Sequence, residues 1–247
     1  MLFSLMSANL SLILPCFNEE KNIPLIVEEF LKIQFNEAKP ELILVNNGSM
    51  DNTGLEIDKA IKNNELKKNN IIIKKIDLRK NQGYGGGIKA GLEVAEGNYL
   101  GWAHADLQSP LLDFFKLYEQ IKSKKKILGK GFRANYRGYD GVISKLHAFL
   151  ASKILGHNLK EINAQPKIFS RDVLEYLDDI PLKWTTIDTY VVYVCLENNI
   201  TINEIEVIFK NRIYGQSKWK NNFLVFVKHI FFNFIYLIQL RFKKVKK

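Results

Sequence analysis

One short stretch of the sequence, GWAHADLQSP at residues 101–110, carries three side chains that could do chemistry together. It contains a single acid, Asp106, with His104 two residues before it and Gln108 two residues after it. An imidazole, a carboxylate and an amide oxygen can each bind a divalent cation or contact a phosphorylated ligand. The same residues would also suit an ordinary turn at the end of a strand. The other motifs of the sequence distinguish a ligand-binding site from such a turn.

The elements that would position this stretch follow from the apolar pattern. Four apolar runs predict strands, at Leu10–Pro15, Leu42–Asn47, Ile71–Asp77 and Asn98–Asp106. Helical patterns separate them, at residues 19–33 after a cap at Asn18, at residues 52–63 after a cap at Asp51, and at residues 86–97. This alternation predicts βαβ units and a mostly parallel sheet.

Polar loops end three of the predicted strands: PCFNEE at residues 15–20, NNGSMDNT at residues 46–53 and HADLQSP at residues 104–110. Ligands of open α/β sheets bind beyond the carboxyl ends of the strands. The three loops are therefore expected to form one site for a nucleotide or another phosphorylated ligand.

The composition indicates a globular, basic protein. The 247 residues, 47% of them hydrophobic and 25% charged, suit a globular chain of one large or two small domains. Two distant cysteines favour a reducing compartment. The net charge of +10 suggests a polyanionic partner, but no nucleic-acid-binding module is present, so nucleic acid is not expected. The basic excess is concentrated in residues 122–133 and 241–247, which favours phosphate and a membrane surface.

Taken in order, these loops resemble the motifs of the family 2 glycosyltransferases, above all the dolichol-phosphate mannosyltransferases and related polyprenyl-phosphate sugar transferases. The resemblance runs roughly from Leu10 to Lys218. It implies a GT-A fold for residues 1–220, an α/β, Rossmann-like, mostly parallel sheet sandwiched by helices. Residues 221–247 are then expected to form a separate amphipathic helix with a basic tail.

The first two motifs resemble the nucleotide wall of that family. LPCFNEEKNI is similar to Pro-x-Tyr-Asn-Glu, which implies that Pro15 and Phe17 lie near the base and Glu19 near the base or ribose. VNNGSMDNT is similar to Val-Asp-Asp-Gly-Ser-x-Asp-Gly-Thr, with Asn46 and Asn47 at the acidic positions beside the base. An amide oxygen can still accept a hydrogen bond, and its NH₂ group can also donate.

The next two motifs resemble the segments around the sugar and the diphosphate. NQGYGGGIKAGLEVAEG implies that Asn81 and Gly83 neighbour the nucleotide-sugar. HADLQSP resembles Asp-Ala-Asp-Leu-Gln, where two acids hold Mg²⁺ or Mn²⁺ against the donor diphosphate. Asp106 and Gln108 are thus the expected metal ligands, with Ala105 beside the nucleotide-sugar. His104 replaces the first acid, and it could ligate the metal, donate to ribose or phosphate, or only fill space.

Three downstream pieces complete the resemblance. GKGFR implies a phosphate contact for Arg133, and INAQPKIFSRDVL places Gln165 and Lys167 on the acceptor or diphosphate side. NRIYGQSKW resembles a loop that closes over the donor, which implies that the diphosphate is held by Arg212, Ser217 and Lys218. A basic surface turn is the alternative for that last segment.

The resemblance implies inverting transfer by direct displacement from a nucleotide-sugar. A lipid-phosphate acceptor such as polyprenyl phosphate is already ionised, whereas a sugar hydroxyl of a surface glycan needs a general base. Asp188, in WTTIDTYVV, is the candidate for that base or for orienting the acceptor; a structural role for it stays open. A nucleotide-sugar-binding protein without activity is a third hypothesis.

The C-terminal segment predicts an amphipathic helix. Its apolar face would comprise Phe223, Phe226, Val227, Ile230, Phe231, Phe234, Leu237 and Ile238, and its polar face Asn222, Lys228, His229, Asn233 and Gln239. With the basic tail, this pattern is suited to an anionic membrane leaflet, so the chain is expected to be cytoplasmic and peripheral on the inner face of the cell membrane. Packing on the core or at a homo-oligomer interface are the alternatives.

Overall fold

Strand β1, Leu10–Cys16, is an inner strand of the sheet and is almost fully buried. The computed structural model describes residues 9–35, 39–66, 71–133, 138–183, 186–215 and 223–246. The other strands are β2 Pro40–Asn47, β3 Ile72–Leu78, β4 Tyr99–Trp102, β5 Ile127–Arg133, β6 Lys167–Ser170 and β7 Thr201–Val207. The helices are α1 Ile23–Lys32, α2 Thr53–Leu66, α3 Gly83–Val94, α4 Leu111–Ile121, α5 Gly138–Leu155, α6 Thr186–Glu197 and α7 Phe223–Phe242, with a 3₁₀ helix at Arg171–Tyr176.

The sheet has seven strands in the order β3-β2-β1-β4-β6-β5-β7. Strand β6 is antiparallel to β4 and β5, and all other neighbours pair in parallel. The predicted α/β fold with a mostly parallel sheet is therefore confirmed. Because β1 has β2 on one side and β4 on the other, the strand order reverses at β1, and the loops after β1 and β4 flank this switch point.

Two apolar cores cover the two faces of the sheet. Odd and even positions of β1 alternate between them, so Ile13 packs in one core and Leu12 and Leu14 in the other. The Ile13 core contains side chains of α3, α5, α6 and α7, and the opposite core contains those of α1, α2 and α4. Helices thus lie on both sides of the sheet, as the near-continuous apolar strands predicted.

Three predicted boundaries are corrected by the structure. Helix α1 begins at Ile23, not after Asn18, because Pro24 fits the first turn of a helix, and Asn18 instead has a left-handed backbone with φ 58°. Helix α3 spans Gly83–Val94, three residues earlier than predicted. Strand β4 ends at Trp102, so residues 103–110 form a loop.

The face of α7 that packs against the core differs from the prediction, because it includes Asn233 from the predicted polar face. Asn233, Leu237 and Leu240 are buried, with Leu237 and Leu240 in the core beside α5 and α6. Its exposed apolar residues are Leu224, Val227, Ile230, Phe231, Phe232, Phe234, Ile238 and Phe242. Asn233 can be buried because its amide donates to the His229 carbonyl at 2.8 Å. The side chains of Phe223 and Phe226, and residue Asn222, lie outside the described part.

Among the described residues, no helix combines the length and apolar character needed to cross a bilayer.

Candidate active site

The loops after β1 and β2 are joined by hydrogen bonds between side chains and backbone. Asn18 accepts from the Met50 N–H at 2.9 Å, and the Glu19 N–H donates to the Thr53 hydroxyl at 2.8 Å. Asp51 accepts from the Glu20 N–H at 3.2 Å. The two loops predicted to form the nucleotide wall are thus one rigid unit.

Glu19 is one of the titratable groups of this wall. Burial raises the pKa of its carboxyl to about 7, the Asn22 hydrogen bond opposes that rise, and the nearby Asp106 carboxylate adds to it. Pro15 and Phe17 lie beside it at the end of β1, and both are half-buried. The loop therefore offers an apolar surface next to an acid that is partly protonated near neutral pH.

Asn47 positions the start of α3. Its side-chain oxygen accepts from the Gln82 N–H at 2.9 Å, and its amide nitrogen donates to the Gly83 carbonyl at 2.8 Å. Asparagine supplies both an acceptor and a donor, whereas an ionised aspartate only accepts. These two bonds explain why asparagine can stand at a position where the family has an acid: its side chain both accepts from and donates to the start of α3. The neighbouring Asn46 donates to Asp77 at 2.8 Å.

The glycine-rich start of α3 is covered by the chain itself. Gly83 has φ +82°, and a Cβ there would lie 2.8 Å from the Leu182 carbonyl oxygen. The Gly86 N–H donates to that same carbonyl at 3.0 Å. Asn81 caps the turn by accepting from the Gly83 N–H at 2.7 Å. These glycines therefore allow residues 181–183 to pass close to the helix.

The loop after β4 brings His104, Asp106 and Gln108 together with Arg212. Asp106 is 4% exposed, and its Oδ2 lies 2.8 Å from an Arg212 terminal nitrogen. The Arg212 Nε donates to Gln108 Oε1 at 3.2 Å. His104 Nδ1 is 4.0 Å from Asp106 Oδ2, and Ala105 is buried between them. The chain thus places a guanidinium against the two predicted metal ligands.

This donor set does not fit Mg²⁺ or Mn²⁺. The described residues contain no group of three or more His, Cys, Asp or Glu side chains placed to hold an ion. Asp106 Oδ1 accepts from the Gln108 N–H, Oδ2 pairs with Arg212, and the Gln108 amide also donates to the Lys210 carbonyl. Hard divalent cations prefer several oxygen ligands, and a guanidinium repels them. An ion on Asp106 and Gln108 would first have to displace Arg212.

A second polar cluster lies deeper, beneath His104. Lys167 and Asp188 are 0% and 1% exposed, and their side chains form an ion pair at 2.8 Å. Asp188 Oδ1 also accepts from Gln165 at 3.0 Å and from the Trp102 indole at 3.3 Å. Burial lowers the pKa of Lys167, and the Asp188 carboxylate opposes that change.

Tyr84 joins the two clusters and was missed by the sequence analysis. Its ring meets the His104 ring edge-on, with centroids 5.3 Å apart. Burial raises the pKa of the Tyr84 hydroxyl well above its ordinary value, and the Asp188 and Asp106 carboxylates add to the rise. Burial also lowers the pKa of His104. An aromatic residue inside the glycine-rich segment was the available signal for Tyr84.

The remaining predicted residues are Arg133, Ser217 and Lys218. Arg133, at the end of β5, pairs with Glu161 at 3.2 Å and its guanidinium lies 4.4 Å from the centre of the Phe209 ring. The structure gives no contact between Arg133 and the Asp106 cluster. Ser217 and Lys218 fall outside the described residues.

Comparison with known proteins identifies the family. Residues 11–177 match the family model described as glycosyl transferase family 2, which is more than half of the chain. The chain belongs to glycosyl transferase family 2. The motif resemblance seen in the sequence is thereby confirmed.

Curated relatives point to the same group. The chain is 26% identical over 211 residues to an undecaprenyl-phosphate 4-deoxy-4-formamido-L-arabinose transferase of Proteus mirabilis, covering 85% of the chain and 62% of the relative. It is 25% identical over 219 residues to a dodecaprenyl-phosphate galacturonate synthase of Rhizobium johnstonii, covering 86% and 62%. The chain therefore spans less than two thirds of these relatives.

Solved structures support the GT-A fold. A mannosyltransferase from Pyrobaculum calidifontis, solved with GDP-Man and Mn²⁺, superposes with a TM-score of 0.69 at 14% identity, covering 98% of the chain and 67% of that structure. Glucosyl-3-phosphoglycerate synthase from Mycobacterium tuberculosis, solved with Mn²⁺ and UDP, gives 0.66 at 17% identity, covering 94% and 80%. At these identities the likeness concerns the fold alone.

Proposed function

We propose that this protein is an inverting glycosyltransferase that moves a sugar from a nucleotide-sugar to polyprenyl phosphate at a membrane surface. The observation that carries the proposal is the convergence of the loops after β1, β2 and β4 at the switch point of a family 2 sheet. The relatives named for polyprenyl-phosphate sugar transfer support the choice of acceptor.

The donor side is assigned to the rigid loops around β1. Pro15 and Phe17 would contact the base, and Glu19 the base or ribose, next to the braced Asn47. Asn81 and Gly83 at the start of α3 would border the sugar. Arg212 would contact the diphosphate, and its position beside Asp106 together with its 29% exposure supports this assignment.

The state of Asp188 supports a phosphate acceptor over a sugar hydroxyl. A hydroxyl must lose its proton to a general base, whereas a lipid phosphate attacks as an anion. Asp188 is buried, and its Oδ1 accepts from Lys167, Gln165 and Trp102. A carboxylate that is 1% exposed and held by these three donors is poorly placed to reach the hydroxyl of an acceptor. We assign Asp188 the role of holding Lys167, which supplies positive charge beneath the transfer site.

The acceptor would approach from the side of α5 and α7. Val142, Leu146 and Phe149 form an exposed apolar stripe on α5, and α7 packs beside this helix. Seven exposed residues of α7 share one apolar side, here called the outer face: Leu224, Val227, Ile230, Phe231, Phe234, Ile238 and Phe242. Lys243, Lys244 and Lys246 follow it. We propose that these surfaces lie on the anionic inner leaflet of the cell membrane.

Release of nucleoside diphosphate tests the proposal. The full chain is incubated with UDP-, GDP- and dTDP-sugars and polyprenyl phosphate in detergent, and the sugar extracted into organic solvent is measured. We expect one donor to give a lipid-linked sugar together with equal nucleoside diphosphate. Nucleotide binding without any transfer would instead support the non-catalytic alternative.

A further inference from the structure

The guanidinium of Arg212 lies where a cation held by Asp106 and Gln108 would lie. It is 2.8 Å from Asp106 Oδ2 through a terminal nitrogen and 3.2 Å from Gln108 Oε1 through Nε. These two oxygens are the ones that the sequence pattern assigned to a metal ion. A positive charge supplied by the chain therefore already lies between them.

The charges of the described cluster match a monovalent cation. Asp106 is buried and brings one negative charge, and Arg212 brings one positive charge. The carboxyl of Glu19 interacts with both charges, but burial raises its pKa to about 7, so it is only partly ionised near neutral pH. The position two residues before Asp106 holds an imidazole, which adds no negative charge. Buried charges are stable when they are compensated in place. A divalent ion beside Arg212 would leave this cluster with excess positive charge before any donor binds.

Within the part of the chain that the structure describes, Arg212 also has donors left for a ligand. A guanidinium carries five N–H donors, and its contacts with Asp106 and Gln108 use one each. Its side chain is 29% exposed, so a ligand can reach it from the solvent side. The planar group matches pairs of phosphate oxygens, and the contacts to Asp106 and Gln108 fix its orientation.

We propose that Arg212, held by Asp106 and Gln108, takes the place of a divalent cation at the donor diphosphate. As the acceptor oxygen bonds to the anomeric carbon, the bond from that carbon to the diphosphate oxygen breaks and its electron pair leaves with the nucleoside diphosphate. The guanidinium stabilises the negative charge that develops there. This inference rests on the proposed glycosyl transfer and adds the means by which the leaving group is neutralised.

Nucleotide binding to the full chain tests the inference directly. UDP, GDP and dTDP are titrated calorimetrically in EDTA and again in Mn²⁺. We expect at least one to bind in EDTA, with an affinity that Mn²⁺ changes by less than about twofold. Binding that Mn²⁺ strengthens by about tenfold or more would overturn the inference and leave the proposed function standing. If none binds in either condition, both fail.

Variants of Arg212 distinguish a specific contact of its guanidinium with the diphosphate from the effect of a nearby positive charge. Arg212→Ala should weaken binding in EDTA by about tenfold or more, and Arg212→Lys by less, because it keeps the charge and loses the fork. Lys210→Ala is the matched control, since it removes an exposed charge from the same segment and keeps the backbone contacts to Gln108. Thermal unfolding checks that each variant is folded. Equal binding by Arg212→Ala and the wild type would refute the role of Arg212.

Electron paramagnetic resonance with Mn²⁺ alone gives an independent measurement. The wild-type chain should leave the free Mn²⁺ signal unchanged. The double variant His104→Asp/Arg212→Ala should reduce that signal, because it adds an acid and frees the Asp106 and Gln108 oxygens. Binding of Mn²⁺ by the wild type, or no gain in the double variant, would show that Arg212 does not occupy the position of an ion.

Discussion

The ammonium group of Lys167 lies 2.8 Å from Oδ1 of Asp188, and both side chains are almost fully excluded from water. Lys167 also donates to the Ala164 carbonyl at 3.1 Å. The pair connects β6 to the first turn of α6, next to Trp102 at the end of β4. A buried charge of each sign is thus fixed directly below the loop that carries His104 and Asp106.

Removing one partner of this pair should be strongly destabilising. Lys167→Met leaves Asp188 buried without its cation, so we expect a loss of about 3–5 kcal/mol in the free energy of unfolding. Denaturant titration of the purified variant measures it. The double variant Lys167→Met/Asp188→Asn should lose less, because it leaves no uncompensated charge. A single variant as stable as the wild type would rule out an ion pair of this kind.

Asn47→Asp should loosen the start of α3. The aspartate cannot donate to the Gly83 carbonyl, and the loss of one hydrogen bond costs about 0.5–1.5 kcal/mol. Asn81→Asp is the matched control, since Asn81 uses its oxygen to accept from the Gly83 N–H and aspartate keeps that acceptor. Thermal unfolding should show a clear drop for the first variant and a small change for the second. Equal drops would contradict the bracing role of Asn47.

Glu19 should make stability depend on pH. Burial raises the pKa of its carboxyl from 4.5 to about 7 in the folded protein, so folding favours the protonated acid. The stability that Glu19 contributes below pH 4.5 is therefore lost as the pH rises towards about 7. Glu19→Gln should flatten this part of the curve of unfolding free energy against pH. Glu93→Gln, an exposed acid on α3, is the control and should leave the slope as it is.

The outer face of α7 should carry the membrane affinity. Phe231→Ser/Phe234→Ser removes two exposed rings without touching the buried Leu237, so flotation with anionic vesicles should drop sharply while folding is kept. Leu55→Ser, an exposed apolar residue on α2, should change flotation little. Undiminished flotation of the double variant would assign membrane binding to another surface.

The lysines of the tail should add an electrostatic part to that affinity. Each basic residue near an anionic leaflet contributes about 1 kcal/mol. Lys243 pairs with Asp179, so the test uses Lys244. Lys244→Gln should therefore weaken binding to anionic vesicles by about fivefold and leave binding to neutral vesicles unchanged. Equal losses on both vesicle types would contradict the electrostatic contribution.

The first four strands and the place of the site were predictable because the local sequence pattern determines them. The runs Leu10–Pro15 and Leu42–Asn47 are apolar enough to be covered on both faces, and polar loops after parallel strands meet at one edge. Strands β5, β6 and β7 were not identified, and β6 has only four residues, which carry little periodicity.

The pairings within the site were not predictable, because they depend on tertiary structure. Arg212 contacts Gln108 from 104 positions away, and only the fold brings them together. The face of α7 that points inward is likewise determined by packing against α5 and α6. The pattern placed Leu237 with the apolar residues that lie outside, whereas packing against the core buries it next to Asn233.

The central claim is that the acceptor is a lipid phosphate, and a matched pair of acceptors tests it most directly. Polyprenyl phosphate and the corresponding polyprenol, which has the same chain ending in a hydroxyl, are compared with the same labelled nucleotide-sugar. We predict that sugar passes to polyprenyl phosphate and not to polyprenol, because the candidate base Asp188 is 1% exposed and is held through its Oδ1 by Lys167. Equal transfer to both lipids, or transfer to polyprenol alone, would contradict it.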